Sequence, residues 1–357
     1  GINSFIKLTR QQPELLPAEF KILSYLPETW KPEDVVRIRS NGLWRNITRE
    51  VWRAQLACSK NLSLAAQWKK LEPNWKTEIP VGLDPCVIPP EVLDKYLLAK
   101  APVNFDDSIS SASIVDSFDE QLGSNNWAVS SSRTTTGRPI LADDPHRSHA
   151  VPSLRYISHL NGPGINVIGA GEPALPGVSI GHNERIAFGL TIFPIDQEDL
   201  YVYEKKRKGY RYQSDNEPFH IITESVLVKD SEPVTIEMKF TRHGPVIYET
   251  KRHAFALRAA WLEPGMAPYF GSIEYMGATN FRSFVAALNR WGAPSENQVY
   301  ADIDGNIGYK PAGRFPKRNN WDGLLPVPGD GSYEWDGYFD MDTLPIEYNP
   351  ARGYVGT

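Results

Sequence analysis

Apolar side chains in the first hundred residues recur at intervals of three or four positions. In residues 44–56, the positions with this spacing are Trp44, Ile47, Val51, Ala54 and Leu56. Such spacing places apolar side chains on one face of a helix. Residues 31–34 (Lys-Pro-Glu-Asp) and residues 90–101 each open with proline and acid, which is typical of a helix start. The pattern therefore predicts that residues 1–102 are mainly helical.

The pattern changes after residue 123, where Gly, Pro and Asn recur at short intervals and apolar residues begin to alternate with polar ones. The clearest alternation predicts a half-buried strand. Its apolar members are Val234, Ile236, Met238 and Phe240. Residues 280–291 return to helical spacing, with one apolar face made of Phe284, Val285 and Leu288. We therefore expect residues 124–357 to be rich in strands, with a helix at 280–291.

Residues 103–123 differ from both neighbours in composition. They are rich in Asp, Ser and small residues, as in Asp106-Asp-Ser-Ile-Ser-Ser-Ala-Ser113. Such a segment buries little apolar surface and favours an exposed linker. The sequence thus predicts a helical part at 1–102, a linker at 103–123 and a β-rich part at 124–357.

Composition and charge narrow the function classes. The 357 residues are 41% hydrophobic and 23% charged, which is typical of a globular chain with a sizeable core. The net charge of -5 is spread without a long run of one sign, so a nucleic-acid partner is not expected. No apolar stretch approaches the roughly 18–20 residues that span a bilayer. Residues 1–10 lack the regions of a signal peptide, so a targeting segment is expected outside this chain.

The two cysteines leave two possibilities open. Cys58 and Cys86 are the only cysteines of the chain. Their spacing matches neither a zinc motif nor a redox motif. One disulfide and two buried thiols are both compatible with the sequence.

One serine stands in a distinctive context. Gly123-Ser124 follows the predicted linker, and the chain continues as Ser124-Asn-Asn-Trp-Ala-Val129 and reaches Asp143-Asp-Pro-His146. The dipeptide alone carries no information, because Gly-Ser recurs at 271–272 and 331–332. In its context, the stretch resembles the start of the β subunit in the penicillin acylase family, which begins Ser-Asn-x-Trp and often continues to Asp-Pro-His. Taken alone, residues 124–129 also fit an ordinary turn serine.

Further segments match the same family in the same order along the chain. They are Pro176-Gly-Val-Ser-Ile-Gly-His-Asn183, Ile186-Ala-Phe-Gly-Leu-Thr191, Asp196-Gln-Glu-Asp-Leu-Tyr201, Arg242-His-Gly-Pro-Val246, Tyr300-Ala-Asp-Ile-Asp-Gly-Asn-Ile-Gly-Tyr309, Leu325-Pro-Val-Pro-Gly329 and Asn349-Pro-Ala-Arg-Gly-Tyr354. The first hundred residues resemble the later part of the family's α subunit. The resemblance to penicillin-acylase-type N-terminal-nucleophile hydrolases therefore covers nearly the whole chain, and family enzymes extend beyond both ends.

A serine that becomes a chain terminus gains a base of its own. A hydroxyl is a weak nucleophile without a neighbouring base, whereas an α-amino group has an ordinary pKa of about 7.7–8.0. Cleavage of the Gly123–Ser124 bond would therefore put nucleophile and base on one residue. The resemblance implies that this cleavage is autocatalytic, through an N-to-O acyl shift, and that Ser124 then forms an acyl-enzyme with the substrate amide.

The resemblance assigns supporting roles around the nucleophile. His146 would help to orient the terminal amine, and the backbone N–H of Ile192 would be one donor to the oxyanion of the tetrahedral intermediate. The family's second donor, an asparagine side chain, is expected beyond Thr357.

Three further residues match acyl-pocket positions of the family, namely Arg147, Leu190 and Glu296. Members that prefer a phenylacetyl group hold it in an apolar pocket. Two of the three positions carry a charge here, so we expect these side chains to pair with each other, face solvent or contact a polar substrate. A preference for phenylacetyl is therefore not expected.

An acidic cluster is the candidate metal site. Asp196, Glu198 and Asp199 could offer oxygen ligands to calcium, and a solvated acidic turn is the alternative. The resemblance implies one structural Ca2+, held by Asp196, Asp199, the backbone carbonyl of Glu198 and, from the helical part, Glu50. A further family ligand is expected beyond the last residue of this chain.

The resemblance as a whole implies an α+β fold with four αββα layers, in which two stacked antiparallel sheets carry helices on their outer faces. The implied activity is hydrolysis of an N-acyl amide, such as a β-lactam antibiotic or an acyl-homoserine lactone, to an acid and an amine without an organic cofactor. Its partners would be that small molecule and the α and β segments of one precursor, without nucleic acid or a membrane span. Periplasmic or secreted localisation follows by analogy. The alternative is a catalytically silent, calcium-stabilised, β-rich binding protein.

Overall fold

The computed structural model describes residues 1–40, 46–68, 71, 73–100, 123–147, 149, 151, 153–267 and 269–357. Of the predicted linker at 103–123, only Gly123 falls within these ranges, and Trp44 also lies outside the described residues. Within the described ranges, every helix is too short or too polar to cross a membrane.

Helices dominate the described part of the first hundred residues. They are α1 (Ile2–Gln11), α2 (Ala18–Leu23), α3 (Pro32–Ser40), α4 (Ile47–Cys58), α5 (Ala65–Trp68) and α6 (Asp94–Lys100). The predicted start of α3 is confirmed, because the Lys31 N–H donates to Asp34 Oδ2 at 2.7 Å. The predicted helix at 44–56 is α4, and the one at 90–101 is α6 preceded by a short 3-10 turn. Residues 73–84 are not helical.

The cysteines form a disulfide between Cys58, the last residue of α4, and Cys86. The sequence had left this open. The bridge joins α4 to a 3-10 turn that begins at Asp84, whose side chain accepts a hydrogen bond from the Cys86 N–H at 3.0 Å. Because a bridge across 28 residues restricts the unfolded chain, it stabilises the fold by about 2–4 kcal/mol.

Strands dominate the chain after Gly123. They are β1 (Ser124–Val129), β2 (Ile140–Pro145), β3 (Tyr156–Gly162), β4 (Ile165–Gly171), β5 (Ile180–Asn183), β6 (Ile186–Ile192), β7 (Glu198–Lys206), β8 (Gly209–Tyr212), β9 (Asp215–Pro218), β10 (His220–Val226), β11 (Val234–Thr241), β12 (Gly244–Glu249), β13 (His253–Ala259), β14 (Glu296–Asp302), β15 (Ile307–Ala312), β16 (Pro316–Arg318), β17 (Val327–Pro328), β18 (Trp335–Tyr338), β19 (Glu347–Tyr348) and β20 (Tyr354–Gly356). Two helices, α7 (Gly271–Tyr275) and α8 (Phe281–Leu288), interrupt them. This mixture of helices and largely antiparallel strands is an α+β fold.

The described strands assemble into separate sheets. A small sheet has the order β2-β1-β20, and a seven-stranded sheet has the order β19-β15-β14-β6-β5-β4-β3. An eight-stranded sheet has the order β10-β11-β12-β13-β7-β8-β9, with the short β17 paired to β7. The β17–β7 pair is parallel, and the pairs within the small and seven-stranded sheets are antiparallel.

Apolar faces bring these elements together. Ile47 and Val51 of α4 belong to one buried core with Phe255 and Leu257 of β13, so α4 covers the eight-stranded sheet. Helices α7 and α8 pack on the seven-stranded sheet in a second core that contains Tyr275, Phe284, Phe188 and Tyr300. Each helix therefore covers a sheet with its apolar stripe, as amphipathic spacing requires.

The small sheet packs against the seven-stranded sheet through a third core that contains Ala128, Val299, Ile307 and Val355. The two sheets approach most closely at Gly189 of β6. A Cβ atom at that position would lie 2.6 Å from Asp143 Oδ1, so only glycine fits there without a shift. This approach sets β1, which begins with Ser124, directly over β6.

Two predictions in the β-rich part have different outcomes. The helix at 280–291 is confirmed as α8, which Asn280 begins with a reciprocal capping box to Ser283. The strand around 234–240 is confirmed as β11, but its expected burial is wrong, since Val234 and Ile236 are 50% and 44% exposed. The alternation predicted the strand correctly. It could not show how far other described elements cover the apolar face of that strand.

Candidate functional site

The serine singled out by the sequence is the first residue of β1, the middle strand of the small sheet. Ser124 lies opposite Pro145 in the β1–β2 register. Its hydroxyl donates a hydrogen bond to the carbonyl oxygen of Gly123 at 2.7 Å. The Ser124 hydroxyl thus lies beside the carbonyl group of the peptide bond that the sequence marks for cleavage.

His146 follows the end of β2 and lies on the same side of the sheet edge. A side chain built on Gly123 would meet His146 Nδ1 at 3.6 Å. The other ring nitrogen, Nε2, is 2.9 Å from Asp144 Oδ2. A carboxylate accepts hydrogen bonds only, so it favours the tautomer with hydrogen on Nε2 and leaves Nδ1 as an acceptor facing Gly123. The acceptor nitrogen of His146 therefore lies near Gly123, the residue before the serine.

The backbone of Ile192, at the end of β6, is arranged as an open hydrogen-bond donor. The Phe193 N–H donates to the Ser295 carbonyl at 3.1 Å, next to β14. Because successive N–H groups of a strand point to opposite sides, the Ile192 N–H points away from β14. The pairing of β5 with β6 extends only to Phe188, so it does not reach this N–H. Asn297 Nδ2 donates to the Ile192 carbonyl at 3.1 Å and holds the backbone in place.

The three pocket residues lie in different surroundings. Leu190 is buried in the core of the seven-stranded sheet. Arg147 is partly exposed and donates to the His146 carbonyl at 2.7 Å. Glu296 is buried at the first position of β14, where its Oε1 accepts from the Tyr269 hydroxyl at 3.4 Å. Arg147 and Glu296 do not form the direct pair that the sequence allowed, because Glu296 faces a different arginine, Arg155.

Arg155 belongs to a buried polar cluster that sequence reasoning missed. We call it the Arg155 cluster, and its members are Arg39, Arg155, Glu172, Tyr269 and Glu296. Arg39 of α3 donates to both oxygens of Glu172, and Arg155 Nη2 is 3.7 Å from Glu172 Oε1. The cluster therefore joins the helical part of the chain to the seven-stranded sheet.

Glu296 provides a pH-dependent prediction. Burial raises its pKa to about 8, opposed by the charges of Arg155 and Arg147 and by the Tyr269 hydrogen bond, while Glu172 raises it further. Because the folded pKa lies above the ordinary value, this group's contribution to stability is complete at low pH and is lost as pH rises through about 8. Between pH 5 and pH 9, we expect the Tm of the parent to fall by several degrees more than the Tm of Glu296→Gln.

Calorimetry of the two proteins at several pH values measures this difference. Asp304→Asn, which changes an exposed carboxylate, is the matched control and should follow the parent. Equal pH dependence of Glu296→Gln and the parent would contradict the assignment.

Asp143 is a second buried acid near the nucleophile. It lies on β2 opposite Asn126 of β1, and neither of its carboxylate oxygens has a hydrogen-bond partner among the described residues. Burial raises its pKa to about 6. It lies two residues before Pro145, the partner of Ser124 in the sheet.

The acidic cluster predicted from the sequence is formed by Glu50 of α4 together with Asp196 and Asp199. One carboxylate oxygen of each lies within 4.8 Å of the others. Arg318, at the end of β16, binds two of them, with Nε 2.8 Å from Asp199 Oδ2 and Nη2 2.9 Å from Asp196 Oδ1. Asn46 Nδ2 donates to Asp196 Oδ1 at 2.7 Å. The cluster thus joins α4 to the loop before β7.

Glu198 contributes through its backbone rather than its carboxylate. Its carbonyl oxygen accepts from Asn46 Nδ2 at 2.8 Å, on the same side as the acidic cluster. Its carboxylate accepts instead from the hydroxyl of Tyr96 and the indole N–H of Trp261. On the side of the acidic cluster, Glu198 therefore offers its carbonyl oxygen rather than its carboxylate.

The donor set of the acidic cluster fits a divalent cation. Arg318 pairs with two of the three carboxylates, those of Asp196 and Asp199, and this one guanidinium leaves the cluster with an excess of negative charge. Burial raises the pKa of Glu50, of Asp199 and, to about 8, of Asp196, and neighbouring carboxylates raise the pKa values of Glu50 and Asp196 further. Asp199 Oδ1 is buried without a hydrogen-bond partner among the described residues. Calcium prefers oxygen ligands of this kind.

Sequence reasoning missed several residues of the two sites, namely Asp143, Arg155, Asn297 and Arg318. All act through contacts with distant parts of the chain, such as the contact of Arg318 with Asp199 across 119 positions. Only Asp143 had a local signal, because it lies three residues before His146 in a segment already singled out.

Comparison with known proteins agrees with the sequence motifs. A family model described as Penicillin amidase matches residues 1–357. The penicillin acylase 2 proenzyme of Pseudomonas sp. strain SE83 is 31% identical over 370 residues, covering 100% of this chain and 46% of that protein. The acyl-homoserine lactone acylase QuiP of Pseudomonas aeruginosa is 28% identical, covering 100% of this chain and 43% of that protein. The chain therefore spans less than half the length of these relatives.

A solved structure is similar as well. The thermostable penicillin G acylase from Alcaligenes faecalis superposes with a TM-score of 0.62 at 28% sequence identity. The match covers 65% of this chain and 43% of that chain. Because the family model matches the whole chain, this chain belongs to the penicillin amidase family.

Proposed function

We propose that the protein is an amidohydrolase of the acylase type that hydrolyses an N-acyl amide to a carboxylic acid and an amine. The observation that carries this proposal is the 2.7 Å hydrogen bond from the Ser124 hydroxyl to the Gly123 carbonyl, at the start of a strand and beside His146. Relatives named as acylases support the reaction class. The substrate is a β-lactam, an acyl-homoserine lactone or another N-acyl compound.

Maturation comes first in this proposal. Ser124 Oγ attacks the carbonyl carbon of Gly123, and the hydroxyl proton passes to a nearby base, for which His146 Nδ1 is placed. The peptide C–N bond then breaks, its nitrogen takes the proton, and an ester joins Gly123 to Ser124 Oγ. Water hydrolyses that ester, which leaves a carboxyl group on Gly123 and a free amine on Ser124.

Turnover uses the new terminus. The free α-amine accepts the proton of its own hydroxyl as Oγ attacks the substrate carbonyl. The Ile192 N–H donates to the resulting oxyanion; one such donor contributes about 2.7–4 kcal/mol to lowering the barrier. The protonated amine then protonates the leaving nitrogen, and water releases the acid from the acyl-enzyme. His146 orients the amine, while Arg147, Leu190 and Glu296 contact the acyl group.

The proposal extends to the architecture. Residues 1–102 correspond to the later part of an α segment, 103–123 to a linker that ends at the cleavage site, and 124–357 to the start of a β segment. The seven-stranded and eight-stranded sheets with their helices form the inner and outer layers of a four-layer αββα fold. Periplasmic or secreted localisation is proposed on family analogy alone.

We propose that one Ca2+ binds in the acidic cluster. Glu50, Asp196, Asp199 and the Glu198 carbonyl would hold it, because they offer oxygen atoms and an excess of negative charge. The ion would neutralise these carboxylates. Since the ligands come from both sides of the proposed cleavage site, its effect would be to hold the two segments together.

The experiment measures release of amine from a panel of N-acyl p-nitroanilides by the cleaved full-length protein. The account predicts turnover that is lost when the α-amine of Ser124 is chemically blocked and the fold is intact by circular dichroism. Turnover that survives the block would show that another group is the base. A correctly cleaved protein that turns over no acyl amide would favour the silent binding protein instead.

A further inference from the structure

The Arg155 cluster has unpaired polar atoms in its interior. Arg155 is nine-tenths buried, and its Nη1 donates to Ser179 Oγ at 2.9 Å. Its Nε and Nη2 have no hydrogen-bond partner among the described residues, and neither does Oε2 of Glu296, which is 1% exposed. Leaving such groups unpaired destabilises the fold, so a group that pairs with them would be bound strongly.

These unpaired atoms belong to oppositely charged residues that are close but not in contact. Arg155 is the charge that most strongly opposes the burial of Glu296. Its closest ion pair, however, is with Glu172 at 3.7 Å. The donors of Arg155 and the free oxygen of Glu296 therefore lie in one buried cluster without satisfying each other.

The position of Glu296 relates this space to the reaction. Glu296 lies directly opposite Ile192 in the β14–β6 register. Residues opposite each other in an antiparallel pair have Cβ atoms about 4.5–5.5 Å apart and side chains on one face. A group that contacts Glu296 therefore lies beside the strand end that carries the Ile192 N–H.

We propose that Arg155 and Glu296 form a subsite that binds a hydroxyl group on the acyl chain of the substrate, close to the scissile carbonyl. This inference rests on the proposed acylase function and names its substrate class. The hydroxyl accepts hydrogen bonds from Arg155 and donates one to Glu296. A hydroxyl also suits the protonated form of Glu296, because the hydroxyl oxygen can then accept a hydrogen bond from that acid.

Hydrogen bonding favours a hydroxyl at this subsite. The cluster holds two guanidinium groups, of Arg39 and Arg155, and two carboxyl groups, of Glu172 and Glu296. An apolar acyl chain would leave their unpaired atoms unsatisfied. A hydroxyl pairs with both residues and adds no charge.

Two acyl groups of equal shape test the subsite. We expect kcat/KM of the cleaved protein for 3-hydroxybutyryl p-nitroanilide to exceed that for 3-methylbutyryl p-nitroanilide tenfold or more, since a site built around a hydroxyl rejects the analogue that lacks it. Equal values would overturn the inference while the acylase function stands. A higher value for the succinyl compound would overturn it as well, in favour of an anion site.

Variants of the two subsite residues test whether these residues cause the preference for the hydroxyl compound. Glu296→Leu and Arg155→Met should each bring the ratio of the two kcat/KM values close to one. Arg185→Met, which removes an exposed arginine, is the matched control and should keep the ratio of the parent. A ratio that persists in both pocket variants would place the selectivity elsewhere and overturn the assignment.

A binding measurement on the parent tests the subsite even if the variants fail to fold or the protein has no turnover. It compares the rise in Tm of the parent in 3-hydroxybutyrate and in 3-methylbutyrate at equal concentrations. A larger rise with 3-hydroxybutyrate supports the subsite even if no amide is hydrolysed. Equal rises overturn it, whereas failure of cleavage and turnover alone contradicts only the proposed function.

Discussion

Ser124→Ala is expected to remain a single uncleaved chain without amidase activity. Alanine supplies no hydroxyl for the attack on Gly123 or for the attack on a substrate, so both reactions stop at their first step. Turnover of any acyl p-nitroanilide should fall by at least about 10³-fold, to the rate that binding and oxyanion donors alone sustain. Denaturing electrophoresis and an amine-release assay measure the two effects.

Ser332→Ala is the matched control for this variant, because Gly331-Ser332 has the same dipeptide in an exposed turn. It should be cleaved and active like the parent. Normal cleavage before residue 124 in the Ser124→Ala chain would show that Ser124 is not the nucleophile of maturation.

Asp199→Ala is expected to lower Tm by about 10 °C, in line with the roughly 3–5 kcal/mol that removal of one member of a buried ion pair costs. Asp199 is fully buried and accepts from Arg318 Nε and from the indole N–H of Trp335. Its loss would leave both donors unpaired and remove a proposed calcium ligand. Differential scanning calorimetry measures the change.

Calcium removal separates the metal from the ion pair. A chelator should lower the Tm of the parent and slow its cleavage, yet change the Tm of Asp199→Ala much less, because that variant binds the ion weakly. Asp215→Ala, at the exposed first position of β9, is the control. An unchanged Tm of the parent in chelator, with no calcium by elemental analysis, would remove the metal from this account.

Local signals in the sequence predicted local structure well. The acidic start of α3 and the capping box of α8 depend on residues three positions apart, so the sequence contains all the information needed. The alternation in β11 predicted a strand for the same reason. Its burial depends on what covers the strand, and no pattern within eight residues describes that.

Long-range contacts account for what the sequence left undecided. Neither the Cys58–Cys86 bridge nor the ion pair of Arg318 with Asp199 follows from spacing, because each depends on how distant elements pack. The family resemblance indicated Ser124 and the acidic cluster. It also placed the charged Glu296 in a pocket, but it did not indicate Arg155. Arg155, the charge that most strongly opposes the burial of Glu296, became apparent only in the folded chain.

The most direct test of the central claim is the intact mass of freshly expressed full-length protein. The account predicts two non-covalently associated chains, the second of which begins with Ser124 and carries a free α-amine. Trimming of the residues before Gly123 would alter only the first chain. A single permanent chain, or a cut at any position other than before Ser124, would contradict the assignment of Ser124 as an N-terminal nucleophile.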